Sequence, residues 1–314
     1  MTTQTLGGGS LVTTRLGYGC MRIAGTMERA RFTPEMEARG RAAVIAAYEA
    51  GYTHFDHADI YGNGLCEEVF GRVLREVSGM RERVLVATKC GIRWANEPVA
   101  GDPHRWDFSR EHIVWSCERS LERLGVERID LFMLHRPDYL MQPDEVAGAF
   151  ERLHAQGKVR EFGVSNFRPA TVELLQRSCP MPLVAHQVEV HAARLDTLED
   201  GTLEQCMATG MTPVSWSPLG RGLLGEGGEP APDDPRAATL RGLLAMLDRV
   251  AAEHSVSRTV IALAWLLRHP AGIVPLVGSV RPERIREAVR ADSVELTREQ
   301  WYAILTASRG ARLP

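Results

Sequence analysis

"SREHIVWSCERSLERLG" (109–125), followed by "DLFMLH" (130–135), sets the rhythm of this chain. Ser109 is placed to cap a helix, because its hydroxyl can accept from a free backbone N–H of the first turn. Gly125 is placed to end that helix, since glycine takes the left-handed C′ conformation without steric cost. The short apolar run that follows reads as a buried strand. The beat continues downstream with helix "PDEVAGAFERLHAQG" (143–157), strand "VREFGVSN" (159–166) and helix "PATVELLQRS" (169–178), opened by proline. Strands "LVAHQVE" (183–189), "MTPVSWSP" (211–218) and "AGIVPLVGS" (271–279) come next, then helix "PERIREAVR" (282–290). Upstream lie strand "YTHFD" (52–56), helix "CEEVFGRVLREV" (66–77) and strand "RVLVATK" (83–89).

The period is near ~30 residues, the size of a βαβ unit. Counting from "TTRLGYG" (13–19) gives eight strands. Eight strands with helical crossovers predict an α/β fold of the (β/α)8 TIM barrel type, closed rather than an open sheet. The length suits a single domain over 1–314, with "LTREQWYAILTASRG" (296–310) as an extra C-terminal helix. Gly220, Gly222 and Gly225 spell GxGxxG. A dinucleotide fingerprint of that kind belongs in a first βα turn, and this one follows the seventh strand, so it reads as a flap.

Bulk composition narrows the function. The chain is 44% hydrophobic and 25% charged, with net charge −3. That balance gives no long-range attraction to nucleic acid or anionic lipid. No apolar run is long enough to span a membrane, and "MTTQTLGGGS" lacks the pattern of a secretory signal. Six scattered cysteines form no CxxC pair, which fits a reducing compartment. These features predict a cytoplasmic protein; separately from composition, the expected form is a monomer or weak homo-oligomer with a small-molecule partner.

The strand ends carry the chemistry. They place Asp56 and Tyr61, Lys89, His135, Ser165 and Asn166, Gln187, Trp216 and Ser217, and Ser279 at successive exits. In a barrel these exits converge on one mouth. Tyr61 can donate a proton, Lys89 beside it favours the phenolate, Asp56 holds Lys89 in place, and His135 can bind a substrate oxygen. Such a set can protonate an oxygen that becomes alkoxide-like as a hydride arrives, and the hydride requires a cofactor. Long loops 91–108 and 219–237 leave the same end. Trp94 and Trp106 in the first are candidates for a pocket wall, whereas Trp115 reads as helix packing.

Taken in order, "GYGCMR", "FDHADIYG", "VATKCGI", "SLERLGVERIDLFMLHRPD", "GKVREFGVSNF", "HQVEV", "SWSPLGRGLL" and "PLVGSVRPERIREAV" resemble the aldo-keto reductases over essentially the whole chain. The flanks "HADIYG", "HRPD", "DGTLEQ" and "REQWY" look most similar to the bacterial YdhF-type oxidoreductase branch. The resemblance implies a catalytic tetrad of Asp56, Tyr61, Lys89 and His135. It implies NADPH as cofactor, with NADH second, and an aldehyde or ketone as substrate. Ser165, Asn166 and Gln187 match the residues that hold the nicotinamide carboxamide. Trp216 matches the ring stacked on the nicotinamide, and Ser217 and Leu219 the pyrophosphate path. Ser279 and Arg284 match contacts to the 2′-phosphate, with Arg281 as a possible helper, and Glu287 matches an adenine contact. Gly278 and Ala288 depart from the lysine and asparagine that many members carry there.

Two other readings stay open. His57 and Asp59, taken with His135, suggest a metal site, but that leaves Tyr61, Lys89 and the Ser/Asn/Gln set without a role, so no metal is expected. His54 reads as strand packing, and His57 and Asp59 as loop hydrogen bonders. The second alternative is a nucleotide-binding regulatory subunit that keeps the barrel and turns over little.

Overall fold

The computed structural model describes residues 1–313. It opens with an antiparallel hairpin of β1 (Thr3–Thr5) and β2 (Val12–Thr14). Then come β3 (Gly17–Gly19), α1 (Pro34–Glu49), β4 (His54–Asp56), α2 (Leu65–Glu76) and β5 (Leu85–Cys90). A second small hairpin, β6 (Ile92–Arg93) with β7 (Arg105–Trp106), interrupts the loop before α3 (Arg110–Leu124). The beat resumes with β8 (Ile129–Leu134), α4 (Pro143–Ala155), β9 (Val159–Ser165), α5 (Pro169–Ser178) and β10 (Leu183–Glu189). Helices α6 (Asp196–Glu199) and α7 (Thr202–Thr209) precede β11 (Thr212–Trp216). Helices α8 (Ala237–His254) and α9 (Arg258–Leu267) lead to β12 (Val274–Val277), and α10 (Pro282–Ala288) and α11 (Arg298–Arg309) close the chain.

Eight strands form one closed parallel barrel in the cyclic order β3, β4, β5, β8, β9, β10, β11, β12. The expected first strand over 13–19 divides in two. Thr14 turns away into the hairpin, where its hydroxyl donates to Leu16 O and its N–H donates to Thr53 Oγ1, and Gly17–Gly19 alone joins the barrel. The hairpin closes the N-terminal end, with Leu6 and Leu11 packing into an interior cluster with Leu85, Leu131, Met133, Val184, Val214 and Val274. The floor is therefore sealed by side chains, which leaves the opposite mouth for ligands.

Local signals explain the elements. Ser109 Oγ accepts from His112 N, and Gly125 ends α3 at φ 65°. Thr297 and Gln300 form a reciprocal capping box at α11. That helix is seated by Trp301, which stacks on Trp265 at 5.0 Å, each indole N–H donating to the other's carbonyl. Trp115 differs from its expected packing role: it stacks on His112 and is 53% exposed on the surface of α3. Behind β5, fully buried Glu67 accepts from Thr88 Oγ1 and Arg123 Nε, both at 2.6 Å, tying α2 to β5 and α3. A buried carboxylate is tolerated when its lone pairs are met in this way.

Candidate active site

Asp56 ends β4, and Lys89 lies near the end of the neighbouring β5. The parallel register brings their side chains together inside the mouth. Lys89 Nζ donates to both Asp56 carboxylate oxygens at 2.8 Å and to His57 O at 2.6 Å. Those three acceptors use all three ammonium protons. The lysine is fully buried, and burial lowers its pKa while Asp56 opposes that fall.

Tyr61 sits on the turn that follows β4. Lys89 Nζ is 5.2 Å from its ring centroid, and the His135 ring lies 5.8 Å away, edge-on at 80°. The phenol pKa is raised well above its usual value, first by burial and then by the Asp56 charge. Sequence reasoning expected Lys89 to ease release of that proton. Burial and the Asp56 charge both raise the phenol pKa, and Lys89, whose three protons are already engaged by Asp56 and His57, does not bring it down. Tyr61 is thus held as a protonated phenol. His135 follows β8, and its pKa falls well below the ordinary histidine value through burial, Lys89 and Arg136. Its imidazole is neutral, with Nδ1 buried and without a hydrogen-bond partner.

The next strands bring in amides. Ser165 ends β9, and Asn166 beyond it adopts φ 61°. Asn166 Nδ2 donates to Ser165 Oγ at 2.7 Å and to His135 O at 3.2 Å, while Trp216 Nε1 donates to Asn166 Oδ1 at 2.9 Å. Gln187 Nε2, on β10, donates to Asp56 Oδ1 at 2.8 Å. Ser217 and Arg221 also adopt positive φ, 50° and 58°. Left-handed backbone at non-glycine residues costs on the order of 1–3 kcal/mol and concentrates at functional sites. All three of these residues line one cavity.

That cavity has a volume of about 630 Å³. Asp56, Tyr61 and His135 stand in its lining, with Ser165, Asn166 and Gln187 among the same wall residues. Trp216, Ser217 and Leu219 continue the wall towards Ser279 and Arg284 at the β12–α10 turn. The flap carrying Gly222 and Gly225 borders the same space, as expected of the GxGxxG run. Lys89 lies behind the surface. Glu287 is outside the lining, although its helix neighbours Arg284 and Ala288 belong to it. Arg281 is engaged by Glu283 at 2.7 Å.

Trp94 and Trp106 do not form the expected wall. The β6–β7 hairpin turns them outward, where Trp94 packs on His104 and Trp106 on Tyr139; from this loop Ile92 reaches the cavity. His54 is buried as expected. Asp59 accepts from Ser116 Oγ at 2.6 Å, whereas both His57 ring nitrogens lack partners and the ring packs on Phe70. Among the described residues no cluster of His, Cys, Asp or Glu is arranged to hold a metal ion, and no helix is long and apolar enough to cross a membrane. Sequence reasoning missed Arg22 and Arg136 in the lining, and the bonds from Gln187 to Asp56 and from Trp216 to Asn166. Arg136 lay within reach of the strand-end argument, one residue past His135.

The donor set fits a nicotinamide dinucleotide. Amide and hydroxyl groups cluster near Tyr61, an indole face follows, and the guanidinium of Arg284 stands at the far end, where Gly278 leaves open space. Comparison with known proteins agrees. Residues 15–308 match the profile of the Aldo/keto reductase family. The chain is 40% identical to oxidoreductase YdhF of Escherichia coli, covering 89% of this chain and 91% of that one. It is 39% identical to a 6-dehydroglucose reductase of Novosphingobium aromaticivorans, over 99% and 97% of the two chains. The structure of a glycerol dehydrogenase from Gluconobacter oxydans superposes with a TM-score of 0.85 at 26% identity, covering 99% of this chain and 97% of that one. With its closed barrel and this run of matches, the chain belongs to the aldo/keto reductase family of NAD(P)H-dependent oxidoreductases.

Proposed function

We propose that this enzyme reduces an aldehyde or ketone to an alcohol with NADPH, and that Tyr61 is the general acid. The observation that carries the reading is the trio in which buried Asp56 holds buried Lys89 and Lys89 faces the ring of Tyr61 at the cavity wall. The bound dinucleotide supplies the hydride. Tyr61 stays protonated until negative charge builds on the substrate oxygen, and then gives up its proton. Burial supports this role, because a phenol kept neutral is available as a donor at neutral pH. Lys89 sits where it stabilises the phenolate left behind, and Asp56 keeps the lysine oriented. His135, neutral and beside Tyr61, positions the carbonyl oxygen.

Ser165, Asn166 and Gln187 would hold the carboxamide, with Trp216 as the stacking face and Ser217 and Leu219 along the pyrophosphate. Preference for NADPH over NADH rests on Ser279 and Arg284, since a guanidinium matches a phosphate dianion. Glu287 is the weakest member of the set, because it does not border the cavity. Relatives named 6-dehydroglucose reductase make a sugar aldehyde a sensible first substrate to try.

The test is Tyr61→Phe. It should bind NADPH with near-parent affinity and lose roughly 10²–10⁴-fold in kcat for carbonyl reduction. Reduction by the variant at the parent rate would remove Tyr61 from the mechanism.

A further inference from the structure

Four arginines line the cavity: Arg22, Arg136, Arg221 and Arg284. Its carboxylates are already engaged. Asp56 is held by Lys89 and Gln187, and Glu226 accepts from the Arg258 backbone N–H at 2.7 Å. Arg284 lies at the β12 end, and Arg221 lies on the flap.

Arg136 stands apart from both. It follows His135 at the exit of β8, diametrically across the barrel from β12. It is half-buried, and its Cζ lies 5.4 Å from the Trp216 ring centroid. It enters no ion pair among the described residues. Glu189, the nearby acid, is bound by Arg194 and faces His191. Arg136 is close enough to Tyr61 and His135 for its charge to lower the pKa of both.

A guanidinium drawn partly out of water without a counter-ion is a poor structural element. An aromatic face supports its plane and leaves its N–H edges free. Those edges open beside the reacting groups, away from the end suited to the 2′-phosphate. We infer that Arg136 binds an anionic group on the carbonyl substrate, so the site selects aldehydes or ketones that carry a carboxylate or a phosphate. This rests on the carbonyl-reductase reading above. The planar fork suits either anion in bidentate fashion.

The experiment compares kcat/KM, with NADPH, for two charged and neutral pairs: 4-oxobutanoate against its methyl ester, and glyceraldehyde 3-phosphate against glyceraldehyde. The pair with the larger ratio identifies the anion. The parent enzyme should favour the anionic member of at least one pair by tenfold or more. Arg136→Met should collapse that ratio at least tenfold, mostly through KM, and Arg136→Lys should restore part of it. Inorganic phosphate or succinate should compete with the neutral aldehyde in the parent enzyme, which tests the site without any variant. A parent ratio near one in both pairs, or no competition, overturns the inference and leaves the reductase reading intact. So does an Arg136→Met variant that keeps the ratio and instead changes NADPH affinity. Failure to reduce any of the four compounds by an enzyme that reduces a neutral sugar aldehyde overturns the inference and spares the reductase reading.

Discussion

Gln187 donates to the same Asp56 oxygen that Lys89 holds, each at 2.8 Å. The Gln187 side of the cavity is therefore tied to the ion pair behind Tyr61 through one carboxylate atom. Replacing Asp56 by Asn keeps the shape and removes the charge. Lys89 then becomes a buried cation without its ion-pair partner, and the main opposition to the burial effect on its pKa is gone. Breaking a buried pair from one side costs about 3–5 kcal/mol. Asp56→Asn should lower stability by that order and cut kcat by about 10² or more. Urea unfolding and steady-state reduction check this together. A variant that matches the parent in both would mean that the pair has no role in either.

Trp216 is oriented by its bond to Asn166 Oδ1, so ring and amide move as a unit. NADPH binding should quench tryptophan fluorescence, and Trp216→Ala should remove most of the quenching. Trp216→Phe keeps a stacking face but loses the indole N–H. Loss of one such hydrogen bond costs about 0.5–1.5 kcal/mol, so that variant should bind NADPH a few-fold more weakly. Titrations of the three proteins decide the matter; unchanged quenching in Trp216→Ala would place the nicotinamide elsewhere.

Arg284 is exposed in the first turn of α10, and Gly278 and Ala288 beside it in the cavity lining offer no side-chain donor. It therefore carries much of any contact to the 2′-phosphate. A charged hydrogen-bonded contact contributes about 1.5–3 kcal/mol. Arg284→Ala should raise the NADPH Kd about tenfold or more and leave the NADH Kd nearly unchanged. Equal losses for both nucleotides would show that Arg284 does not read the phosphate.

Much of the barrel was legible because several βα units carry their own punctuation, as Ser109, Gly125 and Pro169 illustrate. Helix α1 was harder to read: its buried positions are mostly alanine and glycine, which give little periodic contrast. The hairpin β6–β7 was hidden for another reason. It is two residues per strand, and its pairing depends on packing rather than on alternation, so Trp94 and Trp106 faced away from the cavity that loop position alone suggested. The cluster of Asp56, Tyr61, Lys89 and His135 was legible as residue types at strand ends. Its electrostatics were not, because the Tyr61 proton is governed by burial and by the Asp56 charge, neither of which residue type alone reveals.

Stability should fall steeply with acid. The imidazoles of His54, His112, His186 and His191 are pushed down to about 4, and that of His57 to about 3, in each case chiefly by burial. Most of these rings lack any hydrogen-bond partner. Below the ordinary histidine value near ~6.5 the unfolded chain takes up protons that the folded protein refuses. Stability is therefore full above that value and declines as pH falls towards 4. Asp59 acts in the opposite sense. Burial raises its carboxyl to about 7, so the folded state holds a proton between there and about 4 that the unfolded state has lost. Several imidazoles outweigh one carboxyl, and unfolding near pH 5 should absorb several protons. Each proton changes stability by about 1.4 kcal/mol per pH unit. The urea midpoint should drop sharply between pH 7.5 and 5.5. Equal midpoints would mean that the imidazoles accept protons without unfolding, and that the barrel admits water to them.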